Sequence, residues 1–245
     1  MRYGIAIAIV GLSILPALAQ ESAAEIVDRA IRATGTTADR LEQLQVSTQK
    51  MRGVMVAPVG ELPTRKGLLY QGDNQFRAAF EISVNDRMTG TSLGISGEKG
   101  WRIYPTGISD ALGESEINDI RDELYCRWLS TLAPLKSNDV TLETLPSIKV
   151  NQQPAVGVKV TRKGKPTVSL YFDKKTMLLV KSVFTGRESG VKVTKETIFS
   201  DFQAFQNMQL PTKIVEVHNG LKAASWTVQD YSFPGKIDVK QFDRP

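Results

Sequence analysis

From Gln45 to the end, the chain is a series of short runs of mixed or alternating apolar and polar residues, cut by turn formers. Leu170–Trp226 shows the pattern best. Leu170–Phe172 runs into Asp173-Lys174-Lys175-Thr176, and Met177–Phe184 returns. Gly186-Arg187-Glu188-Ser189-Gly190 reads as the next turn, before Val191–Phe205, Gln206-Asn207 and Leu210–Val217. Asn219-Gly220 is a strong two-residue hairpin signal, because both residues tolerate positive φ. Turns this short join neighbouring strands, so the pairing is antiparallel. Lys222–Tyr231 is the last strand, with Ala224, Trp226 and Val228 alternating with Ser225, Thr227 and Gln229. Upstream, Val46–Val56, Arg65–Gln71, Gln75–Val84, Arg87–Ile95 and Trp101–Tyr104 predict a meander, divided at Pro58, Gly60, Pro63, Gly72-Asp73-Asn74, Asn85-Asp86 and Ser96–Gly100. Val140–Val150, interrupted at Pro146, then Ala155–Thr161 and Thr167–Phe172 supply further strands.

Two stretches follow a helical period instead. Glu21–Ala33 places Ala23, Ile26, Val27, Ala30 and Ile31 on one face, with Gly35 as the stop, and Thr36-Thr37 opens a short second turn carrying Leu41 and Leu44. Ile108–Ala133 repeats Ile117, Ile120, Leu124, Tyr125, Trp128, Leu129 and Leu132 at three and four residues, a wide apolar stripe. Ser115 is the predicted N-cap, acidic residues fill the first turns, Pro134 ends the helix, and Arg121 and Arg127 fall on the polar face. Such a helix within a sheet protein lies across one face of the sheet. The polar tail from Pro234 carries Phe242 as its anchor.

Met1–Ala19 reads as a secretory signal: Arg2, an apolar run from Ile5 to Leu15, and Ala17-Leu18-Ala19 as the cleavage pattern. The mature chain, 20–245, is then one domain, free in the periplasm or outside the cell and expected to be a monomer. Loss of Arg2 takes the formal charge from +5 to +4, a mild excess that permits attraction to an anionic lipid surface. No basic and aromatic interleaving suits nucleic acid. Cys126 is the only cysteine, so no disulfide forms within the chain.

Material for catalysis is poor. His218 is the only histidine, at the edge of a hairpin turn, and by itself makes no multi-histidine metal site. Cys126 lies inside the striped helix and reads as a packed side chain. Gly164-Lys165-Pro166-Thr167 lacks both the spacing and the strand-loop-helix setting of a phosphate loop. The acids of Asp110–Glu123 suit a helix start better than an acid–base pair, and the basic turns around Arg162–Lys165 and Lys174-Lys175 suit a solvated rim. The expectation is no enzyme, no cofactor and no metal.

Several short signatures occur in a fixed order: Asn74-Gln75-Phe76-Arg77; Gly97-Glu98-Lys99-Gly100-Trp101 leading to Pro105; Tyr171–Thr176 before Leu178-Leu179-Val180; Phe199-Ser200-Asp201-Phe202 leading to Gln209–Ile214; and Phe242-Asp243-Arg244-Pro245. In this order the chain resembles the LolA-like outer-membrane lipoprotein-sorting proteins from about Glu21 to the end. The resemblance implies an α+β fold: a strongly bent antiparallel sheet forming an unclosed half-barrel, with helices covering the concave face as a lid. It implies a carrier or binder of lipids or lipoprotein acyl chains. The lid would be built from Leu124, Trp128 and Leu129, and Trp101, Phe199 and Trp226 are the large sheet residues expected to face it. The second reading is an interaction or sensor module of the same fold, with a membrane-anchored protein partner.

Overall fold

The computed structural model describes residues 21–85, 87–188 and 190–245, so the signal segment Met1–Ala19 lies outside the described residues. Helix α1 (Ala23–Ala33) is capped by Ser22, whose hydroxyl accepts the Glu25 N–H while the Glu25 carboxylate accepts the Ser22 N–H at 2.8 Å. A short helix α2 (Ala38–Leu41) and a 3-10 turn lead into the sheet. The first half is β1 (Val46–Ala57), β2 (Gly60–Gln71), β3 (Gln75–Val84), β4 (Arg87–Ser96), β5 (Lys99–Ile103) and β6 (Ser109–Ala111). Helix α3 (Glu114–Ser130) crosses to the second half. That half is β7 (Thr141–Val150), β8 (Gln153–Thr161), β9 (Val168–Asp173), β10 (Leu179–Glu188), β11 (Val191–Phe205), β12 (Met208–His218) and β13 (Leu221–Ser232).

All thirteen strands form one antiparallel sheet in the order β6-β5-β4-β3-β2-β1-β13-β12-β11-β10-β9-β8-β7. The sheet is bent and unclosed, with β6 and β7 as its edges. The first strand pairs with the last, Gly53 opposite Trp226 and Met55 opposite Ala224. The two hairpin ladders are therefore joined at mid-sheet. Gly53 permits that approach: a Cβ there would lie 1.9 Å from the Ser225 carbonyl oxygen.

Three sequence expectations are corrected by this topology. Residues 186–188 form no turn; β10 continues to Glu188, and Gly186 is buried where the Phe184 ring covers it. Pro63 does not divide a strand. β2 starts at Gly60, and β3 pairs with it only as far as Thr64, so Pro63 sits where no further donor is needed. The expected interruption at Pro146 is present, as a bulge between Leu145 and Ile148 of the edge strand β7, where its missing N–H is tolerated. The inserted helix starts at Glu114, two residues before the start that an N-cap at Ser115 implies, and Ser109–Ala111 at the head of that stretch pairs with β5 as a strand. Its N-cap is Gly113, whose N–H donates to the Glu116 carboxylate at 3.1 Å, and not Ser115.

The helices cover one face and divide the core into two clusters. Ile26, Val27, Ala30 and Ile31 of α1, with Tyr125, Cys126 and Leu129 of α3, pack on Val158, Val160, Val168, Leu170 and Phe172. Ile117 and Leu124, from the first part of α3, pack on Met51, Leu68, Ile95 and Trp226. A 17-residue helix is about 25 Å long. That length lets α3 take part in both clusters and hold the two halves of the sheet to one curvature. Gly100 meets it closely: a Cβ there would touch Leu112 and Ile117.

Gly53→Ala should destabilise the protein by about 2–3 kcal/mol through overpacking at the β1–β13 seam. Urea unfolding measures this, and an unchanged midpoint would refute the closeness of that contact.

Candidate functional site

An apolar cavity of about 70 Å³ lies under the lid at the end of α3. Leu132 from the turn after α3, Leu41 and Leu44 from the α2 corner, Leu179 of β10, Phe199 and Phe202 of β11 and Leu210 of β12 form its walls. The corner is pinned to the sheet by the Gln209 N–H, which donates to the Thr34 carbonyl at 2.8 Å. Leu132 has φ of 69°, a left-handed conformation uncommon for a leucine, which turns the chain sharply after the helix and places the side chain in this wall.

The six residues expected from the sequence are dispersed. Phe199 lines the cavity. Leu129, fully buried, and Leu124 lie in the core on the underside of α3. Trp128 is half-buried on the helix flank, 6.0 Å from the Tyr125 ring and beneath the Arg162 guanidinium. Trp226 faces α3, but its Nε1–H donates to Glu216 at 3.0 Å, and Lys66 Nζ lies 4.0 Å over its ring while pairing with the same carboxylate. Trp101 is corrected outright. Its neighbour Gly100 faces α3, so the indole points to the opposite face. There it covers Gly94 and donates from Nε1 to the Phe242 carbonyl at 2.8 Å. Its size serves the docking of the tail, whose Phe242 is fully buried.

Sequence reasoning missed Arg127. Read as part of the polar face, it sits three residues after Leu124, close enough to the stripe for its stem to turn inward. The residue as a whole is half-exposed, but its guanidinium is enclosed. It donates to the Ser47 hydroxyl at 2.7 Å and the Leu44 carbonyl at 3.2 Å, and stacks 3.5 Å from the centre of the Tyr70 ring. Among the described residues no carboxylate forms an ion pair with it. Burial pulls its pKa down, with the nearby Tyr70 and Tyr231 opposing that shift. Burial also pushes the Tyr70 hydroxyl up to about 12, despite Arg127. Arg127 is thus the polar fastening between α3 and the Leu44 corner that walls the cavity. A second fastening is Lys195 of β11, which pairs with Glu123 of α3 and with Glu188 at 3.4 Å. Burial disfavours its charge, but the two carboxylates outweigh that and raise its pKa.

Cys126 is buried, and burial pushes its thiol far above the ordinary range. His218 is half-buried, with Nδ1 2.8 Å from Glu188. Among the described residues no group of three His, Cys, Asp or Glu side chains is placed to hold a metal ion. No described helix is long and apolar enough to cross a membrane.

No family model and no curated protein matches the sequence. Solved structures do match. A LolA superfamily protein from Nitrosomonas europaea superposes with a TM-score of 0.53 at 15% identity, over 92% of this chain and 99% of the other. The chain has the LolA fold. A domain named for outer membrane lipoprotein sorting, from Vibrio parahaemolyticus, gives 0.51 at 15% identity over 84% and 97%. A DUF1329 family protein from Desulfovibrio piger gives 0.57 at 12% identity over 91% and 98%. Two of the three matches cover more than nine-tenths of this chain, so the LolA fold spans nearly all of the described chain.

Two stability predictions come from these groups. Arg127→Met should change stability by less than about 1 kcal/mol, since it strands no carboxylate and removes an enclosed charge, whereas Glu216→Leu should cost about 2 kcal/mol by leaving Lys66 without its partner. Urea titration of the two variants checks the order; the reverse order would refute it. On the alkaline side, Tyr70 keeps its proton in the folded state to about pH 12, against 10.0 for a free tyrosine. The stability it contributes is whole below pH 10.0 and lost as pH rises towards 12. Unfolding measured across that window should show a downward slope that Tyr70→Phe flattens.

Proposed function

We propose that this is an exported, non-enzymatic binding protein or carrier for lipids or lipoprotein acyl chains, which occupy the space between the helical lid and the sheet. The observation that carries this reading is the apolar cavity walled by Leu41, Leu44, Leu132, Phe199 and Leu210. At about 70 Å³ it is far below the several hundred Å³ of ordinary ligand pockets, so an acyl chain enters only when the lid is displaced. The construction of the lid suits such a displacement. Its last turns are held by apolar packing of Tyr125, Cys126 and Leu129 and by two polar fastenings, Arg127 to Ser47 and Lys195 to Glu123, rather than by the continuous backbone ladder that holds the strands. Each methylene transferred into the opened space contributes about 0.8 kcal/mol, so a chain of a dozen carbons supplies about 10 kcal/mol towards opening and binding. The LolA fold and the secretory signal read at Met1–Ala19 agree with a periplasmic setting.

Titration of a fluorescent fatty acid into delipidated protein tests this. Saturable binding is expected. Leu210→Trp, which fills the cavity, should abolish it while circular dichroism keeps the sheet signature. Binding that survives the filled cavity would move the site elsewhere. No saturable binding by the intact protein would leave the interaction-module reading.

A further inference from the structure

The sheet has two rims, and they differ in chemistry. Alternate hairpins of an antiparallel meander turn at the same end. Met55 pairs with Ala224, so the β1–β2 and β12–β13 turns lie side by side. The Asn219 N–H donates to the Thr194 carbonyl at 2.9 Å, which sets the start of β11 beside them. The β3–β4, β5–β6 and β8–β9 turns complete that rim. The other rim carries Gly72-Asp73-Asn74, Gly97-Glu98, Asn151-Gln152, Gln206-Asn207 and the β9–β10 turn with exposed Lys174 and Lys175, all small, polar or charged. Nine large hydrophobic residues are exposed among the described residues, and eight of them lie on the first rim. They include Val59 at 82%, Leu221 at 75% and Val191 at 66%, together with Ile108 and Met88. Only Val239, on the tail, lies elsewhere.

Single exposed apolar residues are ordinary on a protein surface. Their confinement to one rim, at the tips of separate hairpins, is not what scatter produces. These turns and the strand residues flanking them carry exposed Arg87, Lys163, Lys165, Arg187, Lys192 and Lys222, against exposed Glu61, Asp110 and Glu188, and the sequence adds Asp86. Lys222 pairs with Glu61 at 2.6 Å, which leaves the excess on the other basic residues. An apolar tip flanked by lysine and arginine has the composition that enters the headgroup layer of an anionic bilayer: the apolar group meets the acyl boundary and the cations meet phosphate.

We propose that this rim docks on an anionic phospholipid surface, with the β1–β2, β10–β11 and β12–β13 tips entering the headgroup region. The surface is separate from the cavity, whose walls lie towards the opposite rim near Gln209 and Leu178. Docking therefore does not depend on what the cavity holds.

The test is sedimentation of the purified protein with vesicles of phosphatidylcholine alone and of phosphatidylcholine with about 30% phosphatidylglycerol. Binding is expected to the anionic vesicles and to weaken strongly at about 0.5 M salt. Val59→Asp with Leu221→Asp should lower vesicle affinity at least about tenfold. Lys163→Gln and Lys192→Gln should each lower it about fivefold. Val239→Asp, a comparable change away from the rim, should leave it unaltered. These positions are exposed, so the fold is expected to survive, and circular dichroism verifies it. Absence of binding to anionic vesicles overturns the proposal and makes the rim a surface for a protein. Equal binding to both vesicle types, or equal loss in Val239→Asp, overturns it as well.

Discussion

The pairing of β1 with β13 is the constraint on which the rest of the structure depends. Each half of the chain is a run of local hairpins, and such ladders form from near neighbours at little loop-closure cost. Their union is not local. It brings Gly53 against Trp226 across most of the chain and needs a glycine at the point of closest approach. Once joined, the thirteen strands share one twist, and the bend of the whole sheet creates a face that a single helix can span.

Helix α3 then converts that face into an interior. Its two ends belong to different clusters, Ile117 and Leu124 to one and Cys126 and Leu129 to the other. The packing leaves a small gap beyond the helix, where Leu132 turns back. The polar groups fastening this region have few partners to spare. Arg127 has a hydroxyl, a carbonyl and a ring face in place of a carboxylate, and its neighbour Tyr70 is held neutral by the same enclosure. An enclosed cation of this kind costs more than it returns in stability, so its place between the lid and the Leu44 corner is better understood as positioning than as reinforcement.

The two surfaces of functional interest lie at opposite ends of the strands. The cavity is near the polar rim, closed by the α1–α2 corner, and the apolar, basic hairpin tips project from the other. The chain thus has a small apolar cavity at one end of its strands and exposed apolar residues at the other.

Local chemistry determined much of this from the sequence alone. The strands and most turns follow from alternation and from Asn-Gly, Gly-Asp-Asn and Gln-Asn signals. Cys126 and Phe242 were legible as buried because apolar pattern and burial are the same physical fact. Only the tertiary structure decided which face each large residue takes. Trp101 and Trp226 are both apolar members of half-buried strands, and nothing local says that the first supports the tail and the second lies under α3. Gly186 reads as a turn residue until the Phe184 ring is placed over it. Pro63 reads as a strand end until β3 is seen to stop pairing short of it. Arg127 reads as solvated until the Leu44 corner folds over the helix. In each case the local pattern fixes that a residue is apolar, flexible or charged, while its surroundings come from segments far away in the chain, brought together by the β1–β13 seam and the helix laid across it.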